Sequence, residues 1–158
     1  GVGGTSAQSD IGYYYYQDLR EIYKNSTFYL TGHSLGGRLV LDVLYKAQDR
    51  KEVKMPAHSA TFNGLGYNKF VNFCLSDKVM NKYADNLNNF YYENDCVSDQ
   101  LGDSATYTKP GNQIKLYPEE RTGTFSWTNH STILNDKTIL NKPYEIKEFY
   151  SAHKINYW

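Results

Sequence analysis

Ser34, Asp95 and His130, in that chain order, are the residues of this sequence with the types to do covalent chemistry. A serine hydroxyl is a weak nucleophile at neutral pH. It needs a base beside it, and the base needs a carboxylate to orient it. The serine stands in Gly32-His33-Ser34-Leu35-Gly36-Gly37, which contains G-x-S-x-G. A short apolar strand candidate, Thr27 to Thr31, leads in, and an apolar helix candidate, Leu35 to Gln48, leads out. Strand, sharp turn and helix with a serine at the apex make a nucleophile elbow. Such a turn strains the backbone at Ser34 and brings helix close to strand, which favours glycine on the flanks. The hydroxyl then stands clear of the sheet, and the Leu35 amide, at a helix N-terminus, can donate to a developing oxyanion. A plain glycine-rich turn with a serine N-cap accounts for Ser34 and one glycine, but not for glycine at 32, 36 and 37 together.

The acid and base of such a site lie on loops after later strands. Asp95 follows the strand candidate Asn88 to Tyr92, so its carboxylate should emerge at the carboxyl edge of a parallel sheet. His130 follows the strand candidate Gln113 to Tyr117 through a loop. The other three histidines fit the order less well. His33 lies inside the elbow with its ring expected to point away from the Ser34 hydroxyl, His58 precedes the acid, and His153 lies near the C-terminus. Asp99 and Asp103 compete with Asp95 from further along a polar loop.

These groups need a scaffold, and the apolar pattern supplies one. Ile11, Tyr14, Tyr15, Leu19, Ile22 and Tyr23 recur at helical spacing from Ser9 to Lys24, with Ser9 or Asp10 as candidate cap. That helix splits the cluster Tyr13 to Tyr16 between core and surface. Gln48 to Lys54 reads as a loop, and His58 to Phe62 as a strand closed by the turn Asn63-Gly64-Leu65-Gly66. Helical spacing returns at Phe70, Val71, Phe73, Cys74, Val79 and Met80. Ser98 to Asn112 reads equally as a lid or as a surface loop. Further helix candidates lie near Thr132 to Asn135 and Tyr144 to His153. This alternation predicts one α/β domain, a mainly parallel sheet flanked by helices.

Composition narrows the function classes. The chain has 158 residues, a formal net charge of zero and 40% apolar residues, which suits a single globular domain without attraction to nucleic acid or an anionic membrane. No run approaches the length of a membrane span. The first residue is Gly1 rather than Met, as in a processed or trimmed chain, so secreted and cytoplasmic settings both stay open. Cys74 and Cys96 read as buried free thiols, without a disulfide framework. Histidines and cysteines lack metal-ligand spacing, and Gly1 to Gly4 follows no strand and lacks the lysine of a phosphate loop. The mechanism needs no cofactor.

Four stretches together resemble a family. Gly32 to Gly37 is similar to the elbow of the class 3 lipases and their bacterial lipase-like relatives, which have the α/β-hydrolase fold. Thr61-Phe62-Asn63-Gly64-Leu65-Gly66 resembles the strand end and glycine turn that follow in that family. Asn94-Asp95-Cys96-Val97 resembles the motif that carries its acid, and His130-Ser131 its late histidine. The resemblance, covering about Ser26 to Leu134, implies Ser34 as nucleophile, Asp95 as acid, His130 as base and an acyl-ester or lipid substrate. Two departures stand out. Family members have several strands before the elbow, one connection of which donates the second oxyanion-hole group; here 33 residues precede Ser34, and Gly3-Gly4-Thr5 only faintly resembles that donor motif, with Thr5 as its backbone donor. Ser98 also stands where the family has proline. A short N-terminal side leaves an exposed sheet edge, open to a second copy or to a complementing segment of a larger chain. The expected activity is ester hydrolysis. Thioester cleavage, acyl transfer and a catalytically inactive binding or assembly domain are the alternatives.

Overall fold

The computed structural model of the chain describes residues 7–68, 83–98, 107–117, 126–135 and 144–147. Helix α1 (Ala7–Ile22) leads to strand β1 (Tyr29–His33), helix α2 (Leu35–Arg50) and strand β2 (His58–Phe62). Then come β3 (Tyr67–Asn68), β4 (Leu87–Tyr92), β5 (Tyr107–Thr108), β6 (Asn112–Leu116), helix α3 (Trp127–Thr132) and β7 (Tyr144–Lys147). One sheet has the order β1-β2-β4-β6-β7, with the first four strands parallel and β7 antiparallel on β6. β3 and β5 form a separate antiparallel ribbon. His33, Phe62, Phe90 and Ile114 lie in one row across the four parallel strands, so the loops leaving those strands share one edge.

α2 is largely buried from Gly37 to Ala47 because more than one of its faces is covered. Val40, Leu41 and Leu44 pack with Tyr67, Tyr83 and Leu87, while Val43 and Ala47 pack with Tyr13 and Tyr16 of α1. Burying Leu41 and Leu44 completely should stabilise the fold by about 2 kcal/mol each. Two charged residues of α2, Asp42 and Lys46, are buried as well. Asp42 accepts from Arg38 Nε at 3.0 Å and from the Ser9 hydroxyl, and Lys46 pairs with Asp10. A buried charge is tolerable only with such partners. A third cluster, Tyr92, Ile114, Leu116 and Ile133, lies on the far side with Phe62 and Phe90 packed against it.

Several expectations shift. α1 begins at Ala7, so Ser9 and Asp10 lie within its first turn and reach across to α2 instead of capping. The tyrosine cluster does split between core and surface, but the buried face is not the one the apolar repeat marked: Tyr13 and Tyr16 are buried, whereas Ile11, Tyr14, Tyr15, Ile22 and Tyr23 are exposed. α2 continues through Arg50 and closes on Lys51, a left-handed residue (φ 58°) whose amide donates to the Ala47 carbonyl. Tyr144–Lys147 is a strand where the sequence suggested the start of a helix. Its Tyr-Glu-Ile-Lys alternation has period two, and pairing along β6 favours that period over the helical one. Of the stretch read as a lid or loop, Tyr107–Thr108 pairs with β3 and Lys109 to Asn112 are buried, so that end is packed structure. The helical pattern around Phe70 to Met80 lies outside the described residues. Among the described residues, no helix is long and apolar enough to cross a membrane.

Candidate active site

β1 ends at His33 and α2 starts at Leu35, leaving Ser34 as the whole connection. Its backbone sits at φ 55°, ψ −121°, a region L-residues rarely adopt, at a cost of about 1–3 kcal/mol. Hydrogen bonds hold it there: Ser34 N donates to the Phe62 carbonyl, and Gly37 N to the Ser34 carbonyl, each at 3.0 Å. The turn requires glycine at two places. A Cβ on Gly32 would lie 2.2 Å from the Gly36 carbonyl oxygen, and one on Gly37 would lie 2.9 Å from Gly64 Cα. A Cβ on Gly36 would meet nothing within 4 Å among the described residues, so packing there does not demand the glycine that the motif suggested.

Asp95 follows β4 after a turn in which Asn94 takes a left-handed backbone (φ 61°). Its carboxylate is fully buried and bonded through both oxygens. Oδ1 contacts His130 Nδ1 at 2.8 Å, and Oδ2 accepts from Ser98 N at 2.5 Å. Ser98 thus has a role that proline at this position could not fill, because proline has no backbone N–H.

His130 lies on α3, not in the loop the sequence suggested. A six-residue helix does not sustain itself, so its position is imposed from outside. The Ser126 hydroxyl caps it, accepting from Asn129 N at 3.0 Å. Ser126 also bridges to Asp95 in parallel fashion, and its amide donates to the Asn94 carbonyl at 2.8 Å. Asn129 Nδ2 donates to the Glu93 carbonyl at 2.8 Å. The histidine helix is therefore stapled to the turn that carries the acid.

The three side chains form one line. Ser34 Oγ lies 2.8 Å from His130 Nε2, and His130 Nδ1 lies 2.8 Å from Asp95 Oδ1. An ionised carboxylate only accepts, so Nδ1 carries the proton and Nε2 is left to accept from the serine hydroxyl. The Leu35 amide opens α2, where backbone N–H groups have no partner within the helix. That arrangement can take a proton from Ser34 and present a donor beside the oxygen of a carbonyl whose carbon the serine attacks. Two exposed apolar side chains adjoin it: Leu35 follows the serine, and the Trp127 ring stands edge-on to His130 at 5.9 Å.

The remaining candidates separate. Thr5, Asp99, Asp103 and His153 lie outside the described residues. His58 opens β2, exposed and stacked on Tyr29. His33 packs its ring on that of His130, centroids 4.7 Å apart, and donates from Nε2 to the His130 carbonyl at 2.6 Å. Asn63, read from the sequence only as a turn residue, is fully buried and also donates to that carbonyl. No spacing rule in the sequence could have found either contact, since 97 and 67 residues separate the partners.

Cys96 is a buried free thiol beside the acid; burial and then the Asp95 carboxylate push its pKa up. Asp95, Cys96 and His130 present ligand atoms within 4.8 Å of one another, a grouping that could hold a metal ion and that sequence spacing did not suggest. The carboxylate and imidazole in it are already bonded to each other. Comparison with protein-family models and with curated protein sequences finds no match to this chain.

Proposed function

We propose that the chain is a serine ester hydrolase of lipase or phospholipase type, on an α/β-hydrolase-like fold related to that of the class 3 lipases. The observation that carries this reading is the continuous line Ser34 Oγ–His130 Nε2, His130 Nδ1–Asp95 Oδ1, mounted on a strained elbow. Ser34 attacks the acyl carbonyl while His130 takes its proton, and Asp95 stabilises the imidazolium that forms. The Leu35 amide donates to the tetrahedral oxyanion. His130 returns the proton to the leaving alcohol, which leaves an acyl ester on Ser34. It then deprotonates the water that attacks the acyl ester, and gives that proton to Ser34 Oγ as the acid leaves. Exposed Leu35 and Trp127 beside the triad suit an apolar acyl group.

The test is hydrolysis of p-nitrophenyl acetate, butyrate and palmitate by the chain, with Ser34→Ala in parallel and a fluorophosphonate probe on both. Turnover and labelling that vanish in Ser34→Ala are expected, and chain-length preference then separates esterase from lipase. Added thiol or alcohol acceptors report any acyl transfer. Absence of both turnover and labelling in the unmodified chain would overturn the reading in favour of a binding or assembly domain.

A further inference from the structure

We propose that Asn63 is a positioning residue for the base, one that holds His130 over Ser34 by gripping the histidine's own main chain. The catalytic arm of this inference rests on the hydrolase reading above; its geometric arm does not. Asn63 sits just beyond β2, fully buried, with a left-handed backbone (φ 45°) that asparagine tolerates better than most residues. Its Nδ2 donates to the Asn129 carbonyl at 2.9 Å and to the His130 carbonyl at 3.0 Å. Its Oδ1 accepts from Tyr92 N at 3.0 Å, and its own amide donates to the Phe90 carbonyl at 2.8 Å. One side-chain amide thus joins the ends of β2 and β4 to the histidine helix.

The two carbonyls it grips belong to the last turn of α3, where helical carbonyls lack partners within the helix. The His130 carbonyl receives a second donor, His33 Nε2, which fills its other lone pair. Nucleophile and base are also set from adjacent residues: the Phe62 carbonyl accepts from Ser34 N, and the next side chain, Asn63, holds His130. A shift of the β2 end would move both partners together, whereas loss of the amide would loosen the base alone, leaving the His33 and Asn129 contacts in place.

The experiment is Asn63→Gly, which removes the amide while keeping the positive φ accessible. Two readouts are taken: kcat and KM on p-nitrophenyl butyrate, and the downfield NMR signal of the proton on His130 Nδ1, identified by its loss in His130→Ala. The NMR comparison is repeated with Ser34→Ala as background, so it decides the geometry even if the chain hydrolyses no ester. The expected result is a fall in kcat of about 100-fold, the scale of a small misplacement of reacting groups, with KM little changed and the Nδ1 signal broadened or lost. A cooperatively folded variant with wild-type kcat, or with the Nδ1 signal intact, would overturn the proposal. Should Asn63→Gly not fold, Asn63→Asp carries the same test: it keeps the side-chain size and the Tyr92 contact but turns an oxygen toward the two carbonyls.

Discussion

The two sides of this sheet are held by different physics. On the β1 side, α1 and α2 meet the strand mainly through apolar and aromatic packing, with Asp42 and Lys46 buried in pairs between the helices. A groove of about 360 Å³ runs there between Tyr15, Leu19, Tyr29, Leu30 and Leu39, with Gly36 of the elbow at its wall. Tyr29 on β1 is 67% exposed. On the β4–β6 side the apolar cluster of Tyr92, Ile114, Leu116 and Ile133 shares the interior with a set of buried polar groups. Asn63, Asn89, Asp95, Asn129 and His130 are each tied by directional hydrogen bonds to a neighbouring segment. Apolar packing is non-directional and yields to small shifts, while a hydrogen bond weakens steeply with angle and distance. The side that holds the three side chains in line is the one where buried side-chain amides bond main-chain groups of other segments. Ser34 lies at the seam, between β1 and α2 of the first region and facing the histidine of the second.

The contrast breaks most visibly at the acid. Asp95→Asn keeps the shape but takes away the acceptor that fixes the His130 tautomer, so kcat should fall by roughly 10,000-fold with little change in thermal stability. A loss under tenfold in steady-state kinetics would mean the carboxylate is not acting on the imidazole. Leu41→Ala is the mirror experiment in the apolar region. Leu41 is fully buried in α2, so the cavity should cost about 2–5 kcal/mol in denaturant unfolding. Turnover per folded molecule should hold, and a parallel loss of both would show that the two regions are not separable.

High pH should loosen the apolar side first. Burial pushes Tyr13 and Tyr16 from 10.0 up to about 12, helped at Tyr13 by the Glu52 carboxylate that accepts its hydroxyl. The unfolded chain gives up those protons near pH 10 while the folded chain keeps them. Their contribution is therefore intact below pH 10 and is lost as pH rises toward about 12. Ultraviolet titration of tyrosinate should show a late-ionising fraction released together with α-helical circular dichroism; ionisation at one ordinary midpoint would count against it. The smallest effect expected is at the seam. Ser34→Gly should relieve the elbow and raise stability by about 1 kcal/mol while abolishing turnover. A fall in the denaturant midpoint would show that the backbone there is not strained.

Much of the fold was legible because local pattern and burial agree. The alternation of apolar helices and short strands marks β1, α2, β2, β4 and β6 to within a few residues, and the glycines of the elbow mark where β1 turns into α2. The pattern misled where two periods compete over a short run, as at Tyr144–Lys147, where strand pairing decides. It also misled where polarity was taken for exposure. Lys109 and Asn112 read as loop residues, yet Lys109 is 1% exposed and donates to the Gly64 carbonyl at 3.2 Å. Composition cannot show that a polar side chain has found a buried partner.

The sequence by itself determined the elbow, the order of serine, acid and histidine, and the parallel arrangement that sends all three to one edge. These follow from short-range geometry and from connections that keep successive strands parallel. Only the tertiary structure decided that His130 rides on a helix, that Ser98 closes the second carboxylate oxygen, and that Asn63 and His33 share the histidine's carbonyl. Those contacts join residues from separate elements, and their angles exist only once the strands have fixed the distances between them.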